Sequence, residues 1–157
     1  MFIYKIYLII LICCFSLNIV YCQENAKKLY SFEINDLEII KPLGNFKGDE
    51  LRGRKLVSGR KANCLACHKA PIEEEGFHGN FGPSLYGVGS RLNKGEIRLI
   101  LVNSKLVNYD SIMPAYYSLK NLNRVIEKYK NKTILEAQEI EDIVEYLYSL
   151  KVNNTRN

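Results

Sequence analysis

Two cysteines and a histidine stand together near the middle of the chain, in the order Cys64, Leu65, Ala66, Cys67 and His68. This spacing lets both thiols add to the two vinyl groups of one porphyrin, and the residue that follows then presents an imidazole to the central iron. The C-x-x-C-H pattern therefore predicts one covalently bound haem c, attached through Cys64 and Cys67, with His68 as an axial iron ligand.

Three other kinds of site are compatible with a cysteine pair. A zinc site needs four ligands, and because His78 is the only other histidine in the sequence, it would have to recruit a carboxylate. A thioredoxin-like pair needs a preceding strand and a βαβ frame, which the sequence does not indicate. A disulfide is typical of exported chains, but it does not explain His68. Haem is the favoured interpretation.

The second iron ligand is predicted by elimination. Apart from Met1, the sequence has one methionine, Met113, and a thioether opposite the histidine is common in cytochromes c. Pro114 restrains the preceding residue to an extended conformation and keeps it out of a helix. Two alternatives stay open: Met113 could fill a gap in the core, or His78 could be the ligand, although its place soon after His68 makes the opposite haem face awkward to reach.

Pro83, which follows Gly82, has a predicted role beside the histidine. A ligating histidine usually donates its second N–H to a carbonyl group, which fixes the ring and raises the basicity of the ligand. We predict that the carbonyl of Pro83 accepts this hydrogen bond from His68. A simple turn proline is the alternative.

The first residues predict export. Residues 1–5 form a short, positively charged start, and the apolar run over residues 7–17 is shorter than the roughly 20 residues that cross a bilayer. We predict a signal peptide over residues 1–22, cleaved after Cys22, and no transmembrane span in the mature chain. Two alternatives remain: lipidation of Cys22, which Tyr21 disfavours, and an uncleaved N-terminal anchor.

Composition narrows the class further. Of the five cysteines, Cys13, Cys14 and Cys22 fall in the leader, so the mature chain keeps one pair. The formal net charge of the whole sequence is +5, but no run of Lys and Arg is dense enough to indicate nucleic-acid binding. The length after cleavage suits one ordinary domain.

The organisation predicted for the chain has four parts. They are a signal peptide over 1–22, an irregular N-terminal arm over 23–48, a cytochrome c domain over 49–152 and a tail over 153–157. Glycines and prolines across 71–91 indicate a long loop, and such a loop normally has a function or wraps around something. The fold class that we predict is all-α and class I cytochrome c-like, with short helices wrapped around one covalent haem.

Apolar residues recur at helical spacing in three segments. These are a helix capped by Asp49 and ending at about Val57, a helix over 94–102, and a helix over about 135–150. In the last one, Glu139, Glu141, Asp142 and Glu145 occupy the faces between the apolar positions. Thr133 and Glu136 predict a capping box at its start, with a start one or two residues later as the alternative. In small cytochromes of this kind the first and last helices cross, and this similarity predicts that Gly53 accommodates Tyr146.

The sequence resembles the SoxX family over about residues 49–150. Four stretches in the same order carry the resemblance: NCLACH at 63–68, GNFGPSLYGVGSR at 79–91, SIMPAYY at 111–117 and AQEIEDIVEYL at 137–147. The second and third stretches are far more specific than C-x-x-C-H alone. By this resemblance Cys64 and Cys67 attach haem, and His68 and Met113 are its axial ligands.

The resemblance implies a periplasmic heterodimer with a SoxA-like cytochrome. In that system the pair joins thiosulfate oxidatively to a cysteine of the SoxYZ carrier, an L-cysteine S-thiosulfotransferase reaction, and electrons leave through haem to a downstream acceptor. The chain would then be an electron-transfer subunit that is not catalytic alone. We expect the partner to dock on the loop 77–85 and on the arm 23–48.

Two other functions compete with this interpretation. A free periplasmic cytochrome that carries electrons to an oxidase would have the same ligands, but it would not copurify with a SoxA-like partner. A structural zinc or disulfide module would be colourless.

Overall fold

The computed structural model describes residues 29–120 and 122–152. In these ranges the chain forms four α-helices, which are α1 (Glu50–Ser58), α2 (Val88–Arg91), α3 (Lys94–Asn103) and α4 (Ala137–Ser149). Short 3₁₀ turns lie at Leu43–Asn45, Cys64–Ala66, Ser104–Leu106 and Glu127–Tyr129. The predicted leader with its cleavage site after Cys22, and the tail 153–157, fall outside the described residues.

Strands play almost no part in the described chain, where pairing is limited to one isolated bridge between Asn35 and Glu38. The architecture is therefore all-α, as the periodicity predicted. No helix in the described ranges is long and apolar enough to cross a membrane.

The first and last long helices cross at Gly53. A Cβ atom at this position would run into the backbone carbonyl of Asp142 and would lie 2.8 Å from the Cβ atom of Tyr146. The predicted contact of Gly53 with Tyr146 is confirmed, although the nearest neighbour is the backbone one turn earlier. Only a glycine lets α1 and α4 approach this closely.

The starts of the helices follow the capping rules, with one correction. The Asp49 side chain accepts a hydrogen bond from the Arg52 amide at 2.8 Å and begins α1, as predicted. The capping box predicted for Thr133 and Glu136 is wrong: the Glu136 amide donates to the Glu139 carboxylate at 2.7 Å instead. The backbone of Glu136 is extended, with φ of −84° and ψ of 163°, so Glu136 is the N-cap and the helix begins at Ala137. The buried Leu135 lies before this cap and donates its amide to another loop.

That loop is the segment around Tyr116, whose carbonyl accepts the Leu135 amide at 3.0 Å. Thr133 meanwhile donates its hydroxyl to the Leu135 carbonyl. Leu135 therefore lies before the N-cap residue Glu136 and is held by contacts outside α4.

Two of the acidic residues on α4 are buried. Glu141 and Asp142 are 3% and 2% exposed, although acidic side chains are rarely buried without partners. Glu141 pairs with Arg98 of α3, and Asp142 pairs with Arg52 of α1. Their carboxylates therefore tie α4 to both neighbouring helices.

The described part of the N-terminal arm, residues 29–48, is irregular but packed on the core. Ile39 and Leu43 are buried, and the Ile39 amide donates to the Gly95 carbonyl at 3.1 Å. The Leu43 amide donates to the Glu141 carboxylate at 2.9 Å. This part of the arm thus rests against α3 and α4.

The long loop predicted over 71–91 ends in a helix. Its last residues form α2, where a Cβ atom at Gly89 would run into the Tyr148 carbonyl. The Gly89 amide donates to the Leu150 carbonyl at 3.0 Å. This glycine permits close packing against α4, a role that the composition of the segment did not distinguish from loop flexibility.

Candidate haem site

The cysteines and the histidine are brought together by a single tight turn. Cys64 begins a 3₁₀ turn, and its carbonyl accepts the amides of Cys67 at 3.1 Å and of His68 at 3.0 Å. Asn63, just before the turn, adopts a left-handed conformation with φ of 53°. The turn leaves the Cys64 side chain buried and the Cys67 side chain half-buried.

Within residues 29–120 and 122–152 neither thiol forms a disulfide. Burial raises the pKa of the Cys64 thiol to about 11, so that it is neutral at physiological pH. A redox-active cysteine needs the opposite shift, because the thiolate is the nucleophile. The thioredoxin-like alternative is therefore disfavoured, and no cluster of three His, Cys, Asp or Glu side chains suited to a metal ion occurs in the described part of the chain.

The imidazole of His68 is fixed from one side by Pro83. Its Nδ1 atom lies 2.6 Å from the Pro83 carbonyl oxygen. A carbonyl can only accept, so Nδ1 carries the proton and donates, and Nε2 keeps its lone pair for a metal. A Cβ atom at Gly82 would lie 2.6 Å from Nδ1 of the ring, so a glycine is required here.

The loop that carries Pro83 runs alongside the haem motif. Three amides of this loop donate to carbonyls of the motif segment: Gly79 to Leu65 at 2.8 Å, Gly82 to Cys67 at 2.7 Å and Leu85 to Lys69 at 2.8 Å. These bonds hold the loop against the motif segment and so fix the position of the Pro83 carbonyl relative to the His68 ring.

Arg91 supports the same loop from α2. Its guanidinium donates to the carbonyls of Ser84 at 2.7 Å and Tyr86 at 2.6 Å. Sequence reasoning did not single out this role, because a side chain that binds backbone carbonyls leaves no spacing pattern.

Met113 lies on a loop between α3 and α4. The amides of Tyr116 and Tyr117 donate to carbonyls at the end of α3, namely Leu101 at 3.1 Å and Val102 at 3.3 Å. Met113 itself is half-buried and packs against the core. Its backbone is held by two serines that the sequence did not single out, Ser104 and Ser111.

His78 lies on the same loop as Gly79 and close to His68 in the chain. Its Nδ1 atom accepts the amide of Ala70 at 3.4 Å, and its Nε2 atom is buried and has no hydrogen-bond partner among the described residues. Contact with Ala70, two residues beyond His68, places His78 beside the attachment motif. This position favours Met113 over His78 as the second ligand.

The donor set and its surroundings fit a haem c. Two free thiols, an imidazole with an available Nε2 atom and a thioether match the four protein groups that such a haem uses. The loops that carry them also expose large apolar side chains, which are Phe77, Phe81, Tyr86, Leu106, Val107, Tyr109 and Ile112. A concentration of exposed apolar groups is typical of a surface that binds a ligand or a partner.

Comparison with known proteins agrees with this geometry. A family model described as Cytochrome c matches residues 51–151. The crystal structure of SoxXA from P. pantotrophus contains a chain that is 27% identical to this one, with a TM-score of 0.69. The match covers 83% of this chain and 100% of that chain. No curated protein sequence matches.

Proposed function

Since this chain belongs to the cytochrome c family, we propose that it is the electron-transfer subunit of a SoxA-containing, thiosulfate-oxidising complex. The predicted class I cytochrome c-like fold and the resemblance to SoxX are both confirmed by the comparisons. Membership of the family also implies a covalently bound haem c. The number of haems, the partner and the sulfur chemistry are parts of the proposal.

The observation that carries the proposal is the fixed orientation of His68. Its Nδ1 atom is engaged by the Pro83 carbonyl directly beside two unpaired cysteines. Cys64 and Cys67 would attach one haem, His68 would ligate its iron through Nε2, and Met113 would supply the second ligand. When bound, the haem supplies reversible one-electron transfer.

The inventory of side chains supports a division of labour in which the partner performs the sulfur chemistry. Cys64 and Cys67 are the only cysteines among residues 29–120 and 122–152, so haem attachment leaves none there to carry a sulfur substituent. With both axial positions occupied by His68 and Met113, the iron would have no vacant site for thiosulfate. The subunit would therefore accept electrons without binding the substrate.

The overall reaction balances with such a carrier. Joining the outer sulfur of thiosulfate to a carrier thiol forms one S–S bond and releases one proton and two electrons. Those electrons would pass from the SoxA-like partner to this subunit one at a time and then to a downstream acceptor. The SoxYZ carrier would present the thiol.

The proposed docking surface is the loop 77–85 together with the arm 23–48. Phe77 and Phe81 on this loop are 77% and 72% exposed, which suits the apolar centre of an interface. We place the complex in the periplasm, after removal of a signal peptide behind Cys22.

A reconstitution experiment tests the proposal. The haem-loaded subunit alone should be reducible but inactive toward thiosulfate and SoxYZ, and activity should appear when a SoxA-like cytochrome is added. Phe81→Asp should weaken binding to that partner, whereas Leu51→Asp, a residue with the same 72% exposure on α1, should not. Thiosulfate turnover by the subunit alone, or no binding of the partner, would favour a different enzyme or a free electron shuttle.

Haem attachment has a test of its own. The purified protein should keep its colour after denaturation and acid–acetone extraction, which removes only haem that is not covalently bound. Replacement of both Cys64 and Cys67 with Ser should release the haem into the solvent. A colourless native protein that contains zinc would refute the assignment.

A further inference from the structure

Two serine hydroxyls close a ring of hydrogen bonds with the backbone of Met113. Ser111 Oγ donates to Ser104 Oγ at 2.8 Å, and Ser104 Oγ donates to the Met113 carbonyl at 3.0 Å. The Met113 amide donates to Ser111 Oγ at 3.3 Å and completes the ring. Each hydroxyl donates once and accepts once, so all three bonds form together without competing.

The ring is anchored to the end of α3. Ser104 is only 5% exposed, and its carbonyl accepts the amides of Val107 at 3.1 Å and Asn108 at 2.9 Å. The Ser111 amide donates to the Asn108 carbonyl at 3.0 Å. The loop from Ser104 to Met113 is thus folded back on itself, and Ser104 is its fixed point.

The bonds on either side of Met113 are few. Pro114 has no amide hydrogen to donate, and the next backbone bond reaches from Tyr116 to Leu101. The serine ring is therefore the nearest restraint on the backbone of Met113. If the ring breaks, the nearest backbone hydrogen bonds are those of the Ser111 amide to the Asn108 carbonyl and of the Tyr116 amide to the Leu101 carbonyl, so Met113 itself is left without a direct restraint among the described residues.

We propose that Ser104 and Ser111 are positioning residues that hold Met113 in its ligating conformation and so set how readily its thioether leaves the iron. This inference rests on the proposed function, in which Met113 is the second axial ligand. Both serines act through the backbone of Met113.

The loop can be closed, with the serine ring intact and the thioether on the iron, or open, with the ring broken and the thioether released. Removing one hydroxyl should favour the open loop. Ser104→Ala takes away the donor to the Met113 carbonyl and the acceptor for Ser111 in one step. In the closed loop the Met113 carbonyl and the Ser111 hydroxyl then lose their partners in a half-buried place. In the open loop water forms hydrogen bonds with both groups. An unsatisfied polar group is costly only where water cannot reach it, so the change penalises the closed state.

Imidazole binding to the ferric, haem-loaded protein measures the open state. An added imidazole can occupy the iron only where the thioether has left, so its association constant reports the fraction of open protein. Ser104→Ala should raise this constant about tenfold, equivalent to about 1.4 kcal/mol. The near-infrared absorption band that reports the bond between sulfur and ferric iron should accordingly be lost at about tenfold lower imidazole concentration. Ser104→Thr, which keeps the hydroxyl, should restore both values.

Two comparisons separate positioning from general stability. Ser149 also donates its hydroxyl to a backbone carbonyl, that of Tyr146 at 2.8 Å, but it lies at the end of α4. Ser149→Ala should leave the imidazole constant unchanged. In a Met113→Ala background, Ser104→Ala should have no further effect, because no thioether remains to be positioned.

The outcomes distinguish this inference from the assignment of the ligand. If Met113→Ala opens the iron to imidazole but Ser104→Ala and Ser111→Ala leave the constant at its wild-type value, the positioning role is overturned and Met113 remains the ligand. If Met113→Ala itself leaves imidazole binding unchanged, the ligand assignment fails and the positioning role fails with it.

Discussion

Arg98 and Glu141 form a two-point ion pair in the interior of the protein. The Nε and Nη2 atoms of Arg98 donate to the two carboxylate oxygens of Glu141 at 2.7 and 2.8 Å, and both side chains are 3% exposed. Arg98 also donates to the Ile39 carbonyl, and Glu141 accepts the Leu43 amide. The pair therefore joins α3, α4 and the N-terminal arm.

Removing one partner of the Arg98–Glu141 pair should strongly destabilise the protein. Glu141→Ala leaves the Arg98 charge buried without a counter-ion, and we expect the free energy of unfolding to fall by about 3–5 kcal/mol. Urea unfolding of the haem-loaded protein measures the change. The exposed pair of Arg54 and Glu74 provides the control, because Glu74→Ala should change stability little. Equal losses in the two variants would contradict the view that burial makes the Arg98 pair important.

Asp142 should make stability depend on acid pH. Burial acts to raise its carboxyl pKa, but hydrogen bonds from Arg52, Gln138 and the Asp49 amide outweigh burial and hold the pKa below its ordinary value of 3.8. In the unfolded chain the carboxyl binds a proton at higher pH than in the folded protein. Its contribution to stability is therefore complete above pH 3.8 and is lost as the pH falls through the lower folded value.

The measurement compares the wild type with Asp142→Asn between pH 7 and pH 2. Other acid-sensitive groups are common to both proteins, so the difference in stability between them isolates this carboxyl. The wild type should be the more stable at neutral pH, and the gap should close below pH 3.8 by at most about 1.4 kcal/mol per pH unit. A gap that stays constant down to pH 2 would show that the carboxyl is not the titrating group.

The helix crossing at Gly53 should not tolerate one extra methyl group. Gly53→Ala forces the new Cβ atom against the Asp142 carbonyl, so α1 and α4 must separate, at a cost of about 1–3 kcal/mol. Gly76→Ala is the matched control, because a Cβ atom there meets nothing within 4 Å. Thermal unfolding should separate the two variants, and equal midpoints would mean that the crossing can relax without loss.

The helical framework was predictable where the apolar pattern is regular. The periodicity of α4 and the Asp49 cap of α1 located both helices to within a residue or two. The helix α2 was missed because Gly87 and Gly89 look like loop residues in sequence, although Gly89 is required for contact with Tyr148. The roles of Gly87 and Gly89 depend on the residues that pack against them, Val152 and Tyr148. The composition of a segment does not show which distant residues pack against it.

The candidate site likewise has one part that the sequence predicts and another that only the fold reveals. Cys64, Cys67 and His68 are adjacent in sequence, so their shared chemistry is visible in a motif. The bond between Ser104 and Met113 depends on the path of the loop that joins them. Serine in a loop usually indicates only a turn, so its hydrogen bonds became apparent from the fold.

The choice of second axial ligand has the sharpest test. Met113→Ala should open the iron to cyanide and imidazole, because no other thioether is present in the described part of the chain. The reduction potential should fall, because a thioether favours ferrous iron. We expect a fall of roughly 0.1 V or more, within the about 0.8 V range that axial ligands set across haem proteins.

His78→Ala provides the opposing variant. The Nδ1 atom of His78 accepts the Ala70 amide on the loop beside the attachment motif, so removing this imidazole should leave the potential and ligand binding unchanged. It should instead reduce stability slightly, because the Ala70 amide loses its acceptor.

If His78→Ala opened the iron while Met113→Ala had no effect, the second ligand would be His78, and the loop 77–85 would have to cross to the other haem face. The three hydrogen bonds that hold that loop against the motif would then have to break, so amide exchange at Gly79, Gly82 and Leu85 would be fast in the haem-loaded protein. Slow exchange at these amides is the result that we expect.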